Sequence, residues 1–459
     1  MTPLALAFVV VAAIALLVLP RRWAPLPLIG GAIYMTLGQG FELGPLNFPV
    51  IRILVAVAVL RVIVRREGLT GRLNGLDWLM VIWGAWACAS SAFHEEGALV
   101  NRLGLAYNAC GIYFLLRVFC SSIDDVVFLF RTTALLLLPV AIEMIYESVA
   151  AHNLFAVFGG VPDIPEIREG RVRANGPFAH PILAGTVGAV TLPLMIGIWR
   201  RHWVMAALGT LACLTIIVTS ASSGPVLSAL FSIAALCLWP YRRRMRLFKW
   251  SALAAYIALA VAMKAPVYYL IARIDIAGGS TGYYRARLLE SSFEHISEWW
   301  LAGTDFTRHW MPSGVTWSPN HTDITNYYLS MAVMGGLPLM LLLIAILSKG
   351  FAYVGGRLRE DPDMSPEGGF VVWALGSALF AHAATSVSVS YYDQSFLFFY
   401  LTPAAIASVR FHKVAVPAGE VEASHTPTTI GAVDRHGLRA RLVAQVLRQR
   451  HTAPARQLS

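Results

Sequence analysis

Charge is scarce in this chain. Only 14% of its 459 residues are Asp, Glu, Lys or Arg, against about 25% in soluble domains. That shortage excludes a string of soluble domains. Cysteine is scarce too: Cys88, Cys110, Cys120, Cys213 and Cys237 are odd in number and all lie in or beside apolar runs. They show no metal spacing and read as small core residues, not as a disulfide framework. No His-Glu-x-x-His helix motif occurs, and Gly278 to Gly282 lacks the lysine of a phosphate-binding P-loop. No metal and no cofactor is therefore expected. The net charge of +10 comes without an aromatic-interleaved basic patch, so nucleic acid is not expected as a partner.

Apolar length is abundant instead: 57% of the chain is hydrophobic. Uncharged or nearly uncharged runs recur from Leu4 to Val409, many near the roughly 20 residues that a bilayer demands. The expected fold is all-α and polytopic. A single bundle of about 12 to 13 transmembrane helices should fill residues 1–410 and insert in the lipid bilayer. The first run lacks a basic leader and a small-residue cleavage site, so it reads as a retained helix.

Alternate connections are basic, at Arg21-Arg22, Arg65-Arg66, Arg200-Arg201 and Arg242 to Arg244 among others. The positive-inside rule places these in the cytoplasm. Segments 150–180 and 268–322 then face outward. The tail, 411–459, is expected to be cytoplasmic, basic and flexible, with a weak apolar stripe at Leu438, Leu442 and Val446.

Lysine is missing from both outer segments; their basic residues are arginine and histidine only. Arginine stays charged and grips phosphate oxygens with two parallel N–H groups. The first segment carries Arg168-Glu-Gly-Arg171-Val-Arg173-Ala-Asn-Gly-Pro-Phe-Ala-His180-Pro181, and the second Arg273, Arg285, Arg287, Asp305, Arg308, His309 and His321. They suit an anionic lipid head group such as a diphosphate. The bland alternative pairs them with Asp163, Glu166, Glu169, Asp275, Glu290 and Glu294. Charged or polar residues inside runs (Arg52, Arg61, Arg131, Glu143, Glu147, His382) raise a transport alternative, although the three arginines lie near enough to span ends to snorkel. After Pro319, Asn320 and Asp323 resemble an N-cap and capping box. This predicts His321 in a first helical turn, where the helix dipole and nearby arginines favour the neutral base. An isolated interfacial histidine is most often merely polar; the arginine-rich segments shift that weighting.

Three stretches carry a family resemblance. Arg173-Ala-Asn-Gly-Pro-Phe-Ala-His-Pro-Ile-Leu-Ala184, Gly282-Tyr-Tyr-Arg285 with Leu288 to Gly303, and Asn320-His321 to Leu329 followed by Gly335-Gly336-Leu337-Pro338 resemble, in order and spacing, segments of the O-antigen ligase and Wzy-type polymerase superfamily. The resemblance spans roughly residues 75–410 and does not separate members of the superfamily. It implies a GT-C-like membrane glycosyltransferase at the periplasmic face of the bacterial inner membrane. Such enzymes move a glycan from undecaprenyl diphosphate to an acceptor hydroxyl on a glycan or lipid-linked acceptor.

The family's essential histidine falls on His321 and its arginines on Arg173 and Arg285, with Arg171 and Arg287 as competitors. Asp305, Asn320 and Asp323 are candidates to orient His321 or the acceptor, and His180 to contact the donor. Many members have Ser-Arg-Gly where this chain has Ser222-Ser223-Gly224; Arg308 is the candidate to replace that contact. A polymerase is favoured slightly over a ligase, because nothing singles out a lipopolysaccharide acceptor. Polar residues gather in outer segments and not at mid-membrane, which puts a flippase or other transporter second.

Overall fold

The computed structural model describes residues 1–69, 71–273, 282–361 and 364–410. The tail 411–459 and most of the Gly278–Gly282 stretch lie outside them. Among the described residues the fold is helical, with two small β-hairpins. The helices are α1 (Pro3–Val18), α2 (Pro25–Tyr34), α3 (Val50–Arg65), α4 (Gly75–Ala89), α5 (Ala98–Phe119), α6 (Ile123–Ala150), α7 (Pro181–Gly197), α8 (Trp203–Thr219), α9 (Ser223–Cys237) and α10 (Met245–Ala262). After the long connection come α11 (Gly282–Glu294), α12 (Ile296–Trp299), α13 (Tyr327–Glu360), α14 (Pro366–Thr385) and α15 (Phe396–Arg410). The hairpins are β1 (Gly40–Leu43) with β2 (Leu46–Pro49), and β3 (Glu166–Arg168) with β4 (Arg171–Arg173).

Among the described residues six helical stretches are long and apolar enough to cross a membrane, and five more apolar helices are shorter. Exposed apolar side chains such as Val11, Val64, Val149, Val218 and Val261 line their outward faces. α10 buries no residue at all. Such a surface suits lipid and not water.

Local chemistry sets the helix starts. Asn74 with Asp77 and Ser122 with Asp125 form capping boxes on α4 and α6. Pro181 and Pro366 occupy first-turn positions of α7 and α14, where a missing N–H costs nothing. α6, α7 and α8 pack side by side, with α9 and α14 on α7; α15 packs on α5 and α13 on α4.

The connections sort by end. At one end Arg21 donates to the carbonyls of Val118 and Gly68, Arg201 meets Asp124 at 2.8 Å, and Arg410 meets Glu360. These are the basic connections. At the other end the 150–180 segment, the long connection after α10 and the α14–α15 turn interlock. Ala174 N–H donates to Thr219, Ala179 N–H to Asp393, and Tyr327 N–H to Ser386.

One expectation needs correction here. No helix begins at Asn320: α13 starts at Tyr327, capped by Asn326, whose side chain accepts from Leu329 N–H. Residues 321–326 are extended because Tyr284 ties to Asp323 O (2.9 Å) and Thr322 N–H to Thr307 Oγ (3.1 Å), satisfying that backbone by tertiary contacts. In the outer connection α11 forms, and its Leu288 is fully buried with Trp299, Trp310 and Val333 against α13. The contact is close because α13 kinks at Gly335-Gly336. Gly336 has φ +73° and Gly303 φ +100°, and a Cβ at either would lie 2.2 Å from a carbonyl oxygen of the other segment.

Candidate active site

Three segments converge at the end opposite the basic connections. The first is the β3–β4 hairpin. Glu169 and Gly170 both have positive φ, as a two-residue type I′ turn requires. The register pairs Glu166 with Arg173 and Arg168 with Arg171. Opposed residues share a face, so one face carries all four charged groups. Arg173 is 5% exposed; it meets Glu166 at 2.5 Å and donates to Ser222 Oγ at 2.8 Å, while its Nε–H has no partner. Burial lowers its pKa, Glu166 opposes this, and Arg168 adds to it. Ser222 belongs to the Ser222-Ser223-Gly224 turn, so that turn orients an arginine.

The strand runs on into a clamped segment. Glu147 accepts from the N–H groups of Asn175 (3.1 Å) and Gly176 (2.8 Å), and Glu143 from Leu154 N–H at 3.1 Å. Gln394 donates to Pro177 O at 2.6 Å. The two glutamates thus organise the 150–180 segment from the end of α6. The segment delivers His180 to the N-cap of α7, where its Nδ1 accepts from Ile182 N–H at 3.1 Å. Burial depresses the His180 pKa to about 4, and Arg173 and Arg168 push the same way against Glu166.

The sign of this shift gives a prediction. The unfolded chain binds the proton more readily than the fold between pH 6.5 and about 4, so stability falls as pH drops through that window, by up to about 3 kcal/mol. Thermal melts across pH 7 to 4 should show the loss, and His180→Asn, which keeps a cap acceptor, should flatten it.

The second segment is α11. Among the described residues Arg285 makes no hydrogen bond or ion pair, and its Nε is buried without a partner. Burial lowers its pKa; Asp323 opposes this, and Arg168 and Arg173 reinforce it. Three guanidiniums therefore lie within electrostatic reach of one another, beside neutral His180.

The third segment carries His321. Asn320 O accepts from both Thr307 and Arg308 N–H, near 3.0 Å, and Ser318 Oγ contacts His321 Nδ1 at 2.7 Å. Trp317 lies over the imidazole, with ring centroids 5.3 Å apart. The ring is partly buried and its Nε2 makes no hydrogen bond among the described residues. The expected lowering of its pKa is present but has another cause: burial lowers it, while Asp305 and Glu95 oppose. Neither a helix dipole nor an arginine acts on it.

Asp305 sits in its own network. His94, 1% exposed at its side chain, lies between Asp305 Oδ1 (2.6 Å) and Ala302 O (2.9 Å), and Glu95 N–H reaches Oδ2 at 2.8 Å. The imidazole thus bridges the Asp305 carboxylate and a backbone carbonyl. Burial works to raise the Asp305 pKa, but the His94 and Glu95 hydrogen bonds outweigh it and hold it low, with Arg102 adding to them.

Other expected residues stand apart from the cluster. Arg287 is exposed and paired with Glu290, and with Glu294 at 3.8 Å. Arg308 is spent on the carbonyls of Met311 (2.7 Å) and Pro312 (3.0 Å). Arg171 is exposed at the hairpin turn. Asn320 contributes through its backbone, and burial raises the Asp323 pKa against the pull of Arg285.

His94 and Arg102 were not singled out in the sequence, and Arg168 was named there only among the arginines of its segment. Only Arg168 had a visible signal: it lies two turn residues from Arg171 in a hairpin whose register could be counted. Chemically, the described residues offer an arginine-rich anion site, and Tyr284 ties the helix that carries Arg285 to the segment that carries His321. Comparison of the chain with protein-family models, with curated proteins and with solved structures finds no match to any of them.

Proposed function

We propose that the chain is a membrane glycosyltransferase that moves a glycan from a polyprenyl diphosphate, undecaprenyl diphosphate by the resemblance, to an acceptor hydroxyl. The observation that carries this reading is the convergence of Arg168, Arg173 and Arg285 from two separate segments, with Arg285 left unpaired. Guanidiniums crowd together at an electrostatic cost that an anion would relieve. A diphosphate matches their fork geometry.

In the mechanism, the arginines bind the diphosphate and stabilise the charge that grows on it as the glycosidic bond breaks. His321, neutral, accepts the proton of the attacking hydroxyl through its unengaged Nε2. The hydroxyl oxygen attacks the anomeric carbon in line, so one displacement inverts the configuration. Arginine charge does the work that a divalent ion does in other transferases. The positive-inside rule applied to the basic connections supports an outer-face site, and hence a periplasmic one in a bacterial inner membrane.

Extension of a lipid-linked polysaccharide is the favoured form of the reaction, and ligation onto a lipid A core the alternative. Purified protein incubated with a labelled lipid-linked glycan decides between them. A ladder of products marks a polymerase and a single addition a ligase. Intact donor after prolonged incubation would refute the transferase and return attention to transport.

A further inference from the structure

We propose that the long outer connection carries a transition-metal site built from His295, Glu298 and His309, and that zinc is its natural occupant. The donor atoms of these three side chains lie within 4.8 Å of one another. A tetrahedral zinc site with bonds near 2.0–2.1 Å sets its ligands roughly 3.3 Å apart. His309 Nε2 already lies 3.0 Å from Glu298 Oε2. Both side chains are largely exposed, so the remaining closure needs only rotamer adjustment.

The neighbours of these groups are those that metal ligands require. His295 Nδ1 faces the Ser291 carbonyl at 2.8 Å. A carbonyl only accepts, so Nδ1 carries the proton and Nε2 keeps its lone pair. Holding one ring nitrogen on a backbone carbonyl orients an imidazole for ligation through the other. Trp310 Nε1–H donates to Glu298 Oε2 at 3.2 Å, orienting the carboxylate in the same way. The His295 and His309 rings meet edge to face at 4.8 Å, and Trp310 lies nearly parallel to His295. Two imidazoles and one carboxylate favour zinc over magnesium or calcium, which prefer all-oxygen sets. Water completes the coordination. Ligation through His309 Nε2 replaces its hydrogen bond to Glu298 and leaves the ring proton on Nδ1.

The position gives the ion a task. Arg285 lies near the start of α11 and His295 just beyond its end, about 15 Å along the axis. His309 is adjacent to Arg308, whose N–H, with that of Thr307, clasps Asn320 beside His321. Zinc would therefore cross-link the helix bearing Arg285 to the segment bearing His321. It would touch no reacting atom, so chelation should loosen this connection without abolishing transfer.

The test is calorimetric titration of tag-free, chelator-stripped protein in detergent with zinc chloride, which requires no donor and no activity. The expected result is one zinc per chain, undisturbed by excess magnesium. Affinity should fall at least about tenfold in His309→Ala and in Glu298→Gln. Limited proteolysis should show zinc protecting residues 295–321 in the parent protein and not in either variant. Both substitutions are at exposed positions, and far-ultraviolet circular dichroism would verify their folding. No saturable zinc binding, or unchanged affinity in both folded variants, would overturn the proposal.

Discussion

His321→Ala is expected to abolish glycan transfer while leaving donor binding and folding intact. A positioned general base contributes about 10²–10⁴-fold, and two other histidines are engaged: His180 caps α7 and His94 is held on Asp305. Gln at this position preserves a hydrogen bond but cannot take the proton, so it should be equally inactive.

The pH dependence carries the sign of the shift. The active form is neutral and burial lowers the pKa from 6.5, so activity should persist through pH 6.5 and fall only below it. Asp305 raises the His321 pKa, so Asp305→Asn should move the acid limb further toward low pH. Turnover against pH, beside binding of a labelled donor, measures both. Retained turnover in the alanine variant would remove His321 as the base, and loss of donor binding with turnover would make it a ligand-holding group.

Arg285→Lys is expected to lower turnover by about 10²-fold with an unchanged melting temperature. Lysine keeps the charge and loses the fork. Among the described residues Arg285 makes no hydrogen bond, and lysine keeps the charge that Asp323 attracts, so its replacement should cost the fold little. Arg173→Lys should also lose most activity, but it breaks contacts with Glu166 and Ser222 as well, so its effect mixes donor binding with the placement of the hairpin. Arg168→Lys, never selected by motif, should resemble Arg285→Lys. Near-normal turnover in the Arg285 and Arg173 variants would withdraw the diphosphate role. Arg287→Lys serves as the control, since its charge is already spent on Glu290 and Glu294.

The sequence by itself determined the helical runs. Apolar periods and uncharged length act locally, so α6, α8 and α14 lie close to the apolar runs at 126–149, 203–219 and 370–389. The alternation of basic connections was equally legible, because it is written in neighbouring residues, and those connections do meet at one end. Tertiary structure decided the start of α13. Asn320 and Asp323 have the local pattern of a cap, but Thr307, Arg308 and Tyr284 take up the backbone groups that a helix would use. It also decided which arginines are available. All seven arginines across the two outer segments carry the same charge in sequence; only the hairpin register and the docking of α11 separate spent Arg287 and Arg308 from unpaired Arg285. The same holds for His295, Glu298 and His309, whose donors meet because a turn brings residue 309 back against α12. Local structure follows from near-neighbour preferences, whereas the availability of a polar side chain depends on which distant groups folding places beside it.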